Sequence, residues 1–206
     1  WDTPFIWLAF LGIGLIVLLW KVLPQDVRDT TTRPSLRQGF RTIRSYPPAL
    51  AGLTISFLIS ASNETVNIVY GVWMEDAFGF QVAALGAASA IIGIAELGGE
   101  GFVAVFVDRI GKRRAVGLGL GGYALACILL PLIGTTWQGA LVGLFLFYLA
   151  FEFTIVSSIP LMTELVPNAR ATLMAGNVAA FSLGRVFGSL IGPVLFTFGL
   201  PVNAIA

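Results

Sequence analysis

Histidine is absent from this sequence of 206 residues, cysteine occurs once, and charged residues make up only 11%. Without imidazole there is no His-based zinc site, no Ser-His-Asp triad and no His general base, which removes much ordinary enzyme chemistry. The single Cys127 sits in an apolar run, so an internal disulfide framework is excluded and the thiol reads as a small packing group. A formal net charge of +1 leaves no electrostatic footprint for nucleic acid. No metal site and no cofactor motif is expected. The first residue is Trp1, and the chain is read as a fragment or a processed product.

What the sequence has in excess is hydrocarbon, at 57% hydrophobic residues. An aqueous core cannot hold that share, whereas a bilayer accepts it when apolar residues come in runs of about 20. Such runs cover residues 4–23, 49–74, 82–107, 115–134, 139–160 and 171–198. The expected fold class is therefore all-α: a polytopic transmembrane bundle of about six spans. No basic region precedes the first run and Lys21 follows it, so it reads as a retained anchor and not as a signal peptide.

The connections alternate in charge. Lys21, Arg28, Arg33, Arg37, Arg41 and Arg44 fall between the first two runs, Arg109, Lys112, Arg113 and Arg114 between the third and fourth, and Arg170 between the fifth and sixth. The remaining connections hold Glu75 and Asp76, or Thr135, Thr136 and Trp137, with no Lys or Arg. The positive-inside rule then puts both chain ends on the outer face of a plasma or inner membrane. Residues 32–46 suggest a short amphipathic helix on the inner surface, with Leu36, Phe40 and Ile43 on one face, and Arg37, Arg41 and Arg44 on another near anionic headgroups. The alternative for that segment is a disordered basic linker.

Gly117, Gly119 and Gly122 match G-x-G-x-x-G, yet no strand precedes them and no acidic residue follows at the required distance. They open a membrane span, where small residues let helices approach closely. The turn at residues 107–114, V-D-R-I-G-K-R-R, says more: it crowds Arg109, Lys112, Arg113 and Arg114 beside Asp108, with Gly111 available for a tight reversal.

D-R-x-G-[KR]-[KR]-[KR] between two spans resembles the inter-helix signature of the major facilitator superfamily. Residues 160–172, containing Glu164 and Arg170, are similar to a later inner loop of that family. The resemblance implies the carboxy-terminal half of a twelve-helix transporter. Residues 1–23 would be family helix six, 24–48 the basic inner loop with its interfacial helix, and 49–206 a bundle of helices seven to eleven. Gly188, Gly192 and Pro193 resemble a G-x-x-x-G-P element of the antiporter branch, which is known from helix five and pulls toward the other half. The resemblance further implies that the 108–114 turn is an inner gate and that an amino-terminal half is missing.

Five charged residues fall inside spans: Glu64, Glu96, Glu100, Glu152 and Arg185. Each costs roughly 2.5–3.5 kcal/mol at the bilayer centre on insertion scales, so each must face protein or water. One arginine neutralises one carboxylate at most. An unpaired carboxyl shielded from water exchanges protons near neutral pH, as proton coupling requires. Asn63 and Asn67 share the Glu64 helix and are candidates for holding substrate. Helix packing and capping are the competing explanation for Glu96, Glu100 and Arg185.

The function expected is secondary active transport of a small solute, of drug, metabolite or sugar efflux type, coupled to protons in a lipid bilayer. The rivals are a non-transporting receptor or assembly subunit and, less favoured, a membrane-embedded enzyme. For the last, the acids are spread over three spans with no cluster of His or Cys to join them.

Overall fold

The computed structural model describes residues 3–22 and 35–206. Among them every regular element is helical, and no strand occurs. Six helical segments are long and apolar enough to cross a membrane: Phe5–Val22, Pro47–Phe78, Val82–Ile110, Lys112–Ile133, Trp137–Leu165 and Pro167–Phe196. These match the six runs expected. Arg28 and Arg33 of the basic loop lie outside the described residues.

The chain divides into two units, Trp1–Arg33 and Pro34–Ala206. In the first, α1 (Thr3–Val22) is apolar around its whole circumference, with Lys21 in its last turn. A helix of that kind is solvated by lipid or by other apolar helices.

The second unit is a bundle of α2 (Leu36–Arg44), α3 (Pro47–Asn67), α4 (Tyr70–Phe78), α5 (Val82–Ile110), α6 (Lys112–Ile133), α7 (Trp137–Leu165), α8 (Arg170–Phe196) and the short α9 (Leu200–Ile205). Its two main partnerships are α3 on α8, and α7 between α5 and α6. Lipid tails are as apolar as leucine, so close backbone approach, and not hydrophobic exclusion, has to hold such helices together. Gly184, Gly188 and Gly192 supply it along one stripe of α8. A methyl at Gly188 would lie 2.7 Å from Glu64 Cβ, and one at Gly192 would lie 3.0 Å from Thr65 O. Gly99 does the same for α5 against α7, where a methyl would meet Glu152 Cβ at 2.8 Å and Leu149 O at 2.9 Å.

The core joins these layers through fully buried Met74, Leu130, Leu144 and Phe147. Tyr123 and Phe147 meet with ring centroids 5.0 Å apart, and Phe147 and Tyr148 at 5.2 Å in an edge-on contact. Leucine, isoleucine and phenylalanine on the outer faces stay exposed, Leu97 and Leu190 among them, as a lipid-facing surface requires.

The structure departs from the expected pattern at four places. First, the run at 49–74 is not one continuous helix but is interrupted at Ile68 and Val69, between α3 and α4. Val69 N donates to Val66 O at 3.1 Å instead of reaching back one residue further, which tightens the backbone and leaves Thr65 O without its helical donor. Second, the fifth span does not end at Pro160. Proline only removes one backbone donor, and α7 continues to Leu165, so Glu164 is in its last turn and not in a loop.

Third, Phe40 does not share the buried face of α2. Gly39 and Ile43 are buried, Gly39 against Thr172 of α8, whereas Phe40 is 63% exposed. Positions 37, 40, 41 and 44 follow the i, i+3, i+4, i+7 rule, so Phe40 belongs with Arg37, Arg41 and Arg44. Fourth, only Gly119 of the G-x-G-x-x-G spacing lies at a helix contact. A methyl there would sit 2.6 Å from Thr154 Oγ1, while Gly117 and Gly122 have nothing within 4 Å.

Candidate functional site

The second half of α3, toward the middle of the 47–78 span, is polar where lipid would penalise it most. Ser56, Ser60, Asn63, Glu64 and Thr65 are all buried, and they face α8 and α7 instead of hydrocarbon. The glycine stripe of α8 makes this possible by bringing the two backbones together. Ser56 Oγ then donates to Asn177 Oδ1 at 2.6 Å, and Ser60 Oγ to the Phe181 carbonyl at 2.7 Å.

One turn further along, Arg185 Nε donates to Glu64 Oε2 at 3.2 Å. Asn67 Nδ2 reaches Glu64 Oε1 at 3.5 Å, and Tyr148 Oη donates to Asn67 Oδ1 at 2.7 Å. A continuous polar chain, Tyr148 to Asn67 to Glu64 to Arg185, thus ties α7, the last turn of α3 and α8 together. It borders a cavity of about 140 Å³ lined by Ser60, Asn63, Glu64, Asn67, Glu96, Tyr148, Phe151, Phe181 and Arg185. Asn63 makes no side-chain hydrogen bond among the described residues, so its amide is free for whatever enters.

Five of the six residues singled out from the sequence as substrate or coupling candidates therefore meet at one cavity: Asn63, Glu64, Asn67, Glu96 and Arg185. The sixth, Glu152, is not in the lining. It is half-buried where α7 crosses Gly99 of α5, within electrostatic reach of Glu96 and Glu100. Glu100 itself is exposed. Sequence reasoning missed Ser60, Tyr148, Phe151 and Phe181. The hydroxyls of Ser60 and Tyr148, set deep inside apolar runs, were the available signal, whereas Phe151 and Phe181 carry none among so many phenylalanines.

The basic turn lies at the end of the unit where α2 meets the start of α8. Gly111 reverses the chain between α5 and α6 with a φ of +91°, a conformation that side chains with a Cβ rarely adopt. Asp108, Arg109, Arg113 and Arg114 are exposed there. Lys112 forms an ion pair with Glu164 in the last turn of α7. Arg170 opens α8 and is exposed.

Comparison with known proteins agrees with this architecture. The sequence model of the family described as Major Facilitator Superfamily matches residues 52–203, most of the chain. The chain belongs to the Major Facilitator Superfamily. It is also similar to the uncharacterized MFS-type transporter YceJ of Bacillus subtilis (strain 168), with 28% identity over 205 residues. That match covers 95% of this chain and 50% of the relative, so this Major Facilitator Superfamily chain spans about half the length of the relative. No solved structure matches it. With six membrane-crossing helices and this family membership, the protein is an integral, multi-pass membrane protein.

Proposed function

We propose that this chain supplies one half of a secondary active transporter that moves a small solute in exchange for protons, on the efflux side of the superfamily. The observation that carries the reading is the membrane-depth cavity in which Glu64, Glu96, Asn63 and Asn67 converge beside one arginine. A packing device needs a satisfied ion pair, and Glu64 with Arg185 is one. It does not need a second carboxylate in the same cavity, an amide left free, or an opening that holds a solute.

The chain order suits family helices six to eleven. In that assignment α1 is helix six, α3 with α4 is helix seven, and α5, α6, α7 and α8 are helices eight to eleven. Concentration of Arg37, Arg41, Arg44, Arg109, Arg113, Arg114 and Arg170 toward one end of the bundle supports a cytoplasmic location for that end, and the proposed topology has both chain ends outside. The turn from Asp108 to Arg114 then acts as an inner gate: Lys112 holds Glu164, and Asp108 is available to the other half when the inner mouth closes. A missing amino-terminal half would complete the cavity and the gate.

The test is proton-driven uptake in inverted vesicles containing the intact protein. Glu64→Gln and Glu96→Gln are expected to uncouple solute movement from the pH gradient. Unchanged pH-driven transport in both variants would defeat the coupling mechanism.

A further inference from the structure

The charges around the cavity do not balance. From α3 it is faced by Glu64, from α5 by Glu96, from α8 by Arg185 and from α7 by the phenol of Tyr148. Glu100 on α5 and Glu152 on α7 are within electrostatic reach of Glu96. Arg185 bonds Glu64 through Nε alone, with its side chain 59% exposed, while Glu96 has no cation bonded to it among the described residues. The surplus in and around the cavity is negative, and opposite charge is favoured where the walls are of low dielectric.

The rest of the lining has a matching chemistry. Tyr148, Phe151 and Phe181 present aromatic surface to the same space, and rings of this kind attract a cation over their faces. Asn63 adds an uncommitted amide. An apolar cavity of about 150 Å³ holds a benzene ring, which sets the scale for the 140 Å³ found in this chain.

We infer that the cavity takes a small organic cation with an aromatic or apolar body, its ammonium group held by Glu96 and its body by Tyr148, Phe151 and Phe181. The inference rests on reading this cavity as the transport site and adds the substrate class to it. Anionic and sugar-like solutes are disfavoured: two carboxylates face one arginine in the lining, and the amides are too few to replace the hydration of a polyol. Cation and proton would compete for the Glu96 carboxylate, since either one neutralises it.

Isothermal titration of the intact protein in detergent near neutral pH, with benzylammonium and with benzoate, tests the assignment. These probes share a ring and differ in charge, so the wild-type protein alone decides the sign. Benzylammonium is expected to bind and benzoate to fail; equal binding of both, or binding of benzoate alone, overturns the inference. Glu96→Gln is expected to weaken benzylammonium about tenfold or more, and Glu96→Asp to retain most of the affinity. Unchanged affinity in a folded Glu96→Gln protein also overturns it. Proton-driven transport that persists in a protein unable to bind benzylammonium would sink the cation assignment alone. Cation binding without any proton coupling would sink the coupling reading and leave this site standing.

Discussion

The side-chain amide of Asn203 donates to Thr65 O at 2.7 Å, and so occupies the carbonyl that the interruption of α3 sets free. Its second proton goes to Gly192 O at 2.8 Å. One buried residue of the short α9 therefore fastens the broken helix to the glycine stripe of α8. Because Asn203 is 1% exposed, no water replaces it from outside. Leucine in its place keeps the volume and leaves the Thr65 carbonyl without a donor. Asn203→Leu is expected to cost about 1–3 kcal/mol, the range for stranding buried polar groups. A lowered thermal unfolding midpoint in detergent is the measurement, and an unchanged midpoint would contradict the role.

Gly188 is the point at which α3 and the polar chain depend on α8. A Cβ there would meet Glu64 Cβ at 2.7 Å and press on the Ala61 carbonyl, neither of which is a flexible chain end. Gly188→Ala is expected to destabilise by about 1–3 kcal/mol through overpacking. Gly122→Ala, with nothing within 4 Å, is expected to be silent or slightly stabilising. Comparing the two unfolding midpoints separates packing from general intolerance of the glycine-rich helices.

Lys112 and Glu164 join the start of α6 to the end of α7 with side chains 31% and 62% exposed. Water and salt screen such a pair, so Glu164→Gln is expected to change stability by less than about 1 kcal/mol. If the pair belongs to a gate, its effect shows in rate instead. Lys112→Glu and Glu164→Lys are each expected to slow transport, and the double exchange to restore part of it. A double exchange no better than either single change would remove the gate role.

Tyr148 offers a narrow test of the polar chain. Tyr148→Phe keeps the ring that packs on Phe147 and deletes only the hydroxyl that donates to Asn67 Oδ1. Stability is expected to fall by about 0.6–1.7 kcal/mol, the range for hydrogen bonds between membrane helices. Asn67, released, no longer orients Glu64, so the pH profile of transport is expected to shift while the fold remains. An unmoved profile would mean that the chain is structural only.

Length and hydrophobicity were enough to read six spans and an all-helical fold, because the thickness of hydrocarbon leaves a membrane chain few other choices. The cost of burying charge also marked Glu64, Glu96, Glu100, Glu152 and Arg185 as residues that cannot face lipid, and of these Glu100 is exposed in the bundle and Arg185 largely so. What local sequence does not contain is which of them meet. Glu64 and Arg185 are 121 positions apart and pair only because Gly184, Gly188 and Gly192 let α8 lie against α3. Packing of α5 on α7 leaves Glu152 against Gly99 while Glu96 reaches the cavity, a division invisible in a count of acids. The face shared by Phe40 and the arginines of α2 was within reach of helical periodicity. The break at Ile68 and the Asn203 clamp across it were not, since a backbone gives up a helical hydrogen bond only where a distant side chain is folded into place to replace it.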